Sequence, residues 1–426
     1  MANTYLTRTQ VAGNRQIFTQ SIWFKLTSTA DQVFISSYND ANNYNCFFLE
    51  SGNQVLQVLW KKSGSTAALL NTTRKFRDPS AWYHVVLAVD TTQGTAANRI
   101  KLYVNGVQET SFSTATYPNQ NESIEVNDNN TNQRIGALNT DTFFQGVASY
   151  VAQIDGTQEL PGIFGETDST TGEWKIKTTI TPSVAWGNNG FLILKNGNSL
   201  TDESSNSNNF TLAGGTLTNT KDCPDNVFAT FNPLDTFYTT PTFTNGNTTL
   251  ELNPSGSKDT YVPTTLGMTS GKYYTEAKFI SGVAYTYIGI TDKPATASKI
   301  LGDFTNSVRL RGDDGTTRIN NVASTTLTSF TTNDIIGIAV DLTNLKIYYS
   351  KNGVWMNSAN PSSGTGGLTI TAPDGAYFFA WQCNSGSSVC KYSWNFGNGT
   401  FGTTAVSSAG TNASSNGVFE YDVPTG

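Results

Sequence analysis

The sequence predicts an all-β chain built from two β-sandwich domains, and three observations predict it. Apolar residues recur at every second position in short runs such as Ile100, Leu102 and Val104, which is the period of a half-buried strand. Aromatic residues make up 12% of the chain and charged residues only 14%, and the abundant Thr, Ser, Asn and Gly favour strands and turns over helices. One phrase also occurs twice: Trp82 to Asp90 (WYHVVLAVD) leads to Arg99 to Val107 (RIKLYVNGV), and Ile335 to Asp341 (IIGIAVD) leads to Leu345 to Trp355 (LKIYYSKNGVW). An Asn-Gly pair closes each copy, Asn105-Gly106 and Asn352-Gly353, because these residues tolerate the positive φ of a tight hairpin turn. Two copies of one hairpin in 426 residues imply two related sandwiches, since a single core seldom serves so long a chain.

Taken in order, Gln16 to Leu26 alternates around Ile22, Phe24 and Leu26, and strand-like runs follow at Gln32 to Ser37, Asn45 to Glu50 and Gln54 to Lys61. After the repeated hairpin, Tyr117 to Gln133 is rich in Asn and acidic residues and reads as a long surface loop. Arg134 to Ala137 and Phe143 to Ile154 complete the first sandwich. Gly190 to Leu194 and Asn209 to Leu212 read as short strands able to add to either sheet, and the proline-punctuated stretch from Phe231 to Pro241 marks a boundary. The expected domains are therefore residues 1–162, a connector over 163–240 with short strands, and a second sandwich with its tail over 241–426. The second is carried by GKYYTEAKF from Gly271, YTYIGITD from Tyr285, the repeated pair, YFFAWQC and KYSWNFG, and Phe419 to Pro424 offers a final strand.

A net charge of -6 and a pI near 4.9 argue against nucleic acid, which needs clustered Lys and Arg. Arg309 and Arg311 lie beside Asp313 and Asp314, a mixed patch. No apolar stretch approaches the ~20 residues of a membrane span, and the N-terminus lacks a signal-peptide run, so no membrane insertion is expected. Of the four cysteines, only Cys383 and Cys390, flanking NSGSSV, are spaced to pair; two reduced thiols are the plainer reading. The single histidine, His84, excludes a multi-histidine metal site and argues against a histidine-based triad. Alternation places it opposite Val85, Leu87 and Val89, as a structural or surface residue.

Glu122, Glu125 and Asp128 in ESIEVND are the nearest approach to the carboxylate pair of a glycosidase, which must be held ~5 to 9 Å apart. They lack an alternating Glu-x-Asp-x-Glu strand and read as solvated loop acids, whose oxygens are also of the type that binds calcium. No other cofactor is expected, and no metal site is assigned. Sugar contact has better material, since planar amides, carboxylates and hydroxyls around aromatic rings are what hold a saccharide. The loop Ser36 to Asn45 (SSYNDANNYN) supplies Tyr38, Asn39, Asp40, Asn43 and Tyr44 as candidate glycan ligands; the alternative is that the two tyrosines only close the sandwich end. Trp23, Trp82, Trp381 and Trp394 sit in strand patterns and are expected in cores.

The ordered phrases SIWFKL, WYHVVLAVD, RIKLYVNGV, RIGA and FFQGVASYVAQIDG resemble a laminin-G-like or concanavalin A-like lectin jelly roll over roughly residues 1 to 160. FGETDSTTGEWKIK from Phe164, WGNNGFLILKNGNSLTDESSNSNNFTL from Trp186 and DNVFATFNPLD from Asp225 resemble a connector of marine tailed-phage structural proteins, as does FEYDVP from Phe419. The second domain resembles a SPRY domain over roughly residues 245 to 400, departing from it between Lys293 and Thr326, where the loops that set partner choice have no counterpart. The resemblance implies two concanavalin A-like β-sandwich (jelly-roll) domains joined by a β-rich connector. It further implies a non-enzymatic structural protein of the phage virion surface, a fibre or appendage subunit or a capsid decoration. Such a protein is assembled in the host cytoplasm, is multimeric, and contacts other virion proteins and host-surface glycans. The alternatives are a virion-associated polysaccharide-degrading enzyme and a purely architectural protein without ligand. No fibrous stalk precedes the first strand, so attachment is expected through a sandwich face, an edge or the tail. Neutral contacts worth about 1 kcal/mol each predict weak single-copy binding, little affected by salt and multiplied by repetition.

Overall fold

The computed structural model describes residues 3–237, 239–253, 259–282, 285–294, 300–384, 389–407, 410–411 and 415–425. The chain divides into two units, Met1–Asn219 with Cys223–Asp225, and Thr220–Asp222 with Asn226–Gly426. The division thus falls at 219–226, ahead of the proline-punctuated stretch. Phe231 is fully buried in the second unit, its ring edge-on to Trp394 at 5.2 Å and to Phe396 at 5.6 Å. A second-unit fragment beginning at Thr220 is therefore expected to melt cooperatively. One beginning at Thr236 loses the Phe231 ring and about 3–5 kcal/mol with it, which circular dichroism melts of the two fragments will show as a large drop in Tm or an unfolded shorter fragment.

Among the described residues the first unit contains β1 (Tyr5–Thr9), β2 (Ile17–Leu26), β3 (Gln32–Asp40), β4 (Asn43–Glu50), β5 (Val55–Lys62), β6 (Ser65–Thr72), β7 (Trp82–Asp90) and β8 (Ile100–Val104). They are followed by β9 (Val107–Gln108), β10 (Phe112–Thr116), β11 (Asn132–Ile135), β12 (Gly146–Asp155), β13 (Gly165–Thr167), β14 (Trp174–Ile176), β15 (Phe191–Ile193) and β16 (Thr211–Gly214). One sheet runs β10-β6-β5-β4-β3-β11-β1-β16 and the other β15-β12-β2-β7-β8-β9. The two short strands beyond residue 163 are thus shared out, β15 pairing with β12 and β16 with β1, so this part of the expected connector belongs to the first sandwich. Alternating residues of both sheets, among them Phe24, Phe34, Phe47, Trp60, Leu87 and Leu102, fill the space between them. The Asn105-Gly106 turn has both φ angles positive, +47° and +80°. Asn105 also exchanges two bonds with the backbone of His84, accepting from its N–H and donating to its carbonyl, each at 2.8 Å.

The back of the six-stranded sheet is covered as well. The β13-β14 hairpin lays Trp174 against the turn, where a Cβ on Gly106 would lie 2.5 Å from the indole, so the glycine is required by contact as well as by φ. Beneath it His84 is fully buried, stacked on Trp23 at 4.5 Å and on Trp174 at 5.9 Å. The Trp174 indole N–H donates to His84 Nδ1 at 3.0 Å. Nδ1 is therefore unprotonated, and Nε2–H donates to Ser21 Oγ at 2.9 Å. Trp23 is thus buried outside the main core, and Trp82 is only half-buried. Trp381 and Trp394 lie in the second core as expected.

The stretch 117–133 departs from a surface loop. Ile124 and Val126 insert into the main core, and the polar backbone they drag inward is satisfied by buried amides: Asn45 Oδ1 accepts from Glu125 N at 2.7 Å, Gln10 Oε1 from Asn127 N at 2.8 Å. A buried network extends from there. Asn127 Nδ2 donates to Asp155 at 2.9 Å, Gln153 to Asn127 at 2.8 Å, Gln133 to Gln153 at 2.6 Å, and Arg8 Nε to Gln133 at 2.8 Å. Arg8 also donates to Asn189 O at 2.9 Å and lies over the rings of Phe191 and Phe210. This network ties the loop and β11 to the sandwich.

In the second unit one sheet runs β17 (Thr242–Thr244), β18 (Thr249–Leu252), β30 (Cys390–Asn395), β20 (Lys272–Ser281), β25 (Ile335–Asp341), β26 (Lys346–Lys351) and β27 (Val354–Trp355), with β28 (Leu368–Thr369) on β26. The other runs β19 (Asp259–Pro263), β29 (Phe378–Asn384), β21 (Thr286–Thr291), β22 (Ser307–Arg311), β23 (Thr317–Ile319) and β24 (Val322–Ala323). The repeated phrase gives the repeated device. Asn352 accepts from Ile335 N and donates to its carbonyl, each at 2.8 Å, as Asn105 does with His84. Cys383 and Cys390 are buried thiols of this core; residues 385–388 of the loop between them lie outside the described residues. Glu276 faces away from the core yet is fully buried, accepting from the backbone N–H of Glu420 and Tyr421, both at 2.9 Å, and from Asn395 Nδ2 at 3.2 Å. Burial pushes its carboxyl up. The C-terminal segment, with Val418–Phe419 as a two-residue strand, is thereby tied to the sheet.

Candidate functional site

The Ser36 to Asn45 stretch is strand, turn and strand: β3 runs to Asp40 and β4 starts at Asn43, leaving Ala41 and Asn42 as the turn. Tyr38 pairs with Tyr44 across it, and their rings stack 6.1 Å apart at 25°. Both rings are half-buried, and Asn39 and Asp40 are exposed beside them. The stacked pair thus stands half-exposed at the end of the sheet, beside exposed polar side chains.

Two of the five candidate residues build the turn. Asp40 accepts from Asn42 N at 2.7 Å and from Asn43 Nδ2 at 3.0 and 3.1 Å. The Asn43 amide, followed by the Asn42 N–H, holds the Asp40 carboxyl below its ordinary range. Asn43 Oδ1 accepts from Ser63 N at 2.9 Å, and Gly64 N donates to Asn42 O at 3.0 Å, so the neighbouring β5-β6 turn is locked to this one. Tyr38, Asn39 and Tyr44 take no part in these turn bonds. Burial, the largest influence, pushes the Tyr44 phenol up, so it stays protonated and both donates and accepts.

Register adds residues that the linear sequence did not single out. Tyr38 also pairs with Asn132, and Ser36 with Arg134, two places along β11. Residues two apart on a strand share a face, so Arg134 stands on the tyrosines' side of the sheet. Its guanidinium carbon lies 5.5 Å from the centre of the Tyr38 ring. Lys61 pairs with Tyr44 from the other side. The alternation of Arg134 against Ile135 was the signal in the RIGA phrase, but which neighbour it meets depends on a pairing made about a hundred residues upstream.

The loop acids are all engaged in ion pairs, and Glu125 is buried. Glu122 pairs with Lys62. Glu125 and Asp128 share Arg15 at 3.6 and 2.9 Å. Burial, the first cause, together with nearby Asp128, pushes the Glu125 carboxyl up, against the lowering effect of Arg15. The inward pull of Ile124 and Val126 carries Glu125, the acid between them, out of water, while Glu122 and Asp128 stay half-buried in their ion pairs. Among the described residues no group of three or more His, Cys, Asp or Glu is placed to hold a metal ion. The second unit carries an open depression of about 480 Å³ lined by Lys293, Asp303, Phe304, Thr305, Asn320 and Asn321. Its charged side chains are paired, Lys293 with Asp292 at 3.3 Å, and Asp303 with Arg318 at 2.9 Å and Arg309 at 3.4 Å.

Comparison with known proteins agrees with the first sandwich. Residues 2–156 match a laminin-G family model described as the concanavalin A-like lectin/glucanases superfamily. No curated protein matches the chain. Among solved structures, the chain is similar to the SPRY domain of human HERC1, at 20% identity over 38% of this chain and 96% of that one, with a TM-score of 0.32. It is also similar to the TRIM65 PSpry domain, at 11% identity over 39% and 91%, with a TM-score of 0.31. Domain 4 of AbnA, a GH43 extracellular arabinanase of Geobacillus stearothermophilus solved with arabinotriose, is similar at 18% identity over 35% and 64%, with a TM-score of 0.27. Likenesses this distant carry no argument on function. What the family match and the strand topology establish is an all-β chain whose first unit has a concanavalin A-like lectin/glucanase fold.

Proposed function

We propose that the chain is a non-enzymatic, carbohydrate-contacting structural protein of a tailed-phage virion surface, presented in many copies and meeting host-surface glycans through the β3-β4 hairpin. The observation that carries the glycan reading is the stacked, half-exposed Tyr38–Tyr44 pair beside exposed Asn39. Aromatic faces cover the apolar side of a sugar ring while amide and phenol groups take its hydroxyls. The lectin/glucanase-type jelly roll around it is compatible with that use. The virion setting rests on the resemblance of the 164–235 and 419–424 phrases to phage structural proteins. The non-enzymatic reading is supported by the ion pairs that engage Glu122, Glu125 and Asp128. Beads coated with the full chain are expected to adhere to host envelope while single chains bind faintly, because linked sites raise avidity by roughly 10² to 10⁴. Tyr44→Ala removes one ring face and is expected to lower bead adhesion about tenfold, equivalent to about 1.4 kcal/mol. Antibody labelling of intact particles tests the setting; particles that bear none of this chain sink that part of the proposal.

A further inference from the structure

We infer that the site beside Tyr38 takes an acidic saccharide, a uronic acid or a similar carboxylate-bearing sugar, with Arg134 as the group that recognises the carboxylate. The inference rests on the carbohydrate reading above and names its ligand class. Arg134 is only 9% exposed, and a buried guanidinium is costly unless it is paired and hydrogen-bonded. Among the described residues it has no carboxylate partner. Of its five N–H groups, one makes a long bond, Nη1 to Leu138 O at 3.5 Å, and Nε meets no acceptor. Tyr38 lies over the guanidinium. The groups that act on its charge are the hydroxyls of Tyr5 and Tyr38, and burial, the larger influence, pulls its pKa down.

Other arginines of the chain are treated differently. Arg8, equally buried, has Gln133 and Asn189 as acceptors, with Asp202 and Asp155 acting on its charge. Arg15 has Glu125 and Asp128, Arg74 has Glu109, and Arg309 and Arg318 share Asp303. Arg309 and Arg318 leave Nε without an acceptor as Arg134 does, but each has the Asp303 carboxylate beside its guanidinium. Arg134 stands apart, on the same sheet face as the tyrosine pair, with Lys61 as the other cation of that face. A carboxylate on a sugar stacked over the tyrosines would supply the missing acceptor, and guanidinium matches a carboxylate in a two-bond fork. Asp40, at the same hairpin, is engaged by Asn42 and Asn43 and leaves Arg134 to the ligand. The neutral contacts read from the sequence implied binding indifferent to salt; Arg134 adds a charged term that salt weakens.

The experiment uses the full chain coupled to beads and three polyuronates, polygalacturonate, alginate and hyaluronan, each beside its carboxyl-reduced counterpart. At least one polyuronate is expected to retain the beads tenfold or more above its reduced form, and raising NaCl to about 0.5 M, where screening is within a few ångströms, is expected to remove most of that preference. Arg134→Gln is expected to lose the preference and keep the residual binding to the reduced polymer, with its thermal melt recorded alongside. Should that variant fail to fold, the comparison of polymers and salts on the unmodified chain decides. Equal retention on every polyuronate and its reduced form overturns the acidic ligand and leaves the carbohydrate reading standing. Retention on neither overturns both.

Discussion

Arg8→Ala is expected to destabilise the first unit by about 3–5 kcal/mol, the cost of breaking a buried charged network from one side. Arg8 donates to Gln133 and to the carbonyl of Asn189, and its guanidinium lies 5.3 Å from Phe191 and 5.6 Å from Phe210. Its loss leaves acceptors unpaired and a gap between two rings. Gln133 leads on to Gln153, Asn127 and Asp155, so the damage reaches the 122–131 loop and β11, the strand that carries Arg134. Calorimetry of the full chain is expected to show the first-unit transition lowered by on the order of 10 °C and the second-unit transition unmoved. A shift of both, or of neither, contradicts this reading of the network.

The second large effect is an acid one. His84 is buried between Trp23 and Trp174, and burial lowers its pKa from 6.5 to about 3. Because the folded pKa is depressed, the unfolded chain binds the proton more readily. The neutral-histidine contribution is fully present above pH 6.5 and is lost as pH falls from there toward the folded value. The slope is about 1.4 kcal/mol per pH unit. Asp90 and Asp168, whose carboxyls are held below their ordinary range, lose stability only near and below their ordinary value of 3.8. The window from pH 6.5 to 4.5 therefore reports chiefly on His84. Glu125 and Glu276, both pushed up mainly by burial, act with the opposite sign there, so the test is a difference. Urea titrations of the unmodified chain and of His84→Gln should diverge in slope across this window, the variant being flatter. Parallel curves would contradict the buried neutral imidazole.

Strand patterns were legible because alternation and Asn-Gly turns are local. The repeated hairpin was predicted with its turns, and both copies form them with the same asparagine bonds. What the sequence withheld depends on pairing between distant segments. Ile124 and Val126 are flanked by acids and asparagines, and nothing local says that Asn45 and Gln10 wait inside to accept from the backbone of Glu125 and Asn127. His84 alternates away from the core, which by itself leaves it exposed or covered; the cover comes from Trp174, ninety residues on. The candidate site was read half-way. Tyr38, Asn39, Asp40, Asn43 and Tyr44 are together as their adjacency requires, but only register shows that Asp40 and Asn43 are engaged in the turn and that Arg134 stands next to Tyr38.

Contact of the Tyr38–Tyr44 hairpin with carbohydrate, as proposed, is tested most directly by a glycan array probed with the full chain in multivalent form, alongside a Tyr38→Ala/Tyr44→Ala double variant. The rings project from a strand end outside the main core, so the variant is expected to keep its β-sheet spectrum and its melting behaviour. The unmodified chain is expected to give defined glycan signals, and the variant to lose them by about a hundredfold, two ring faces at about 1.4 kcal/mol each. An array silent to the unmodified chain, or one that the folded double variant lights up equally, would contradict the proposed contact.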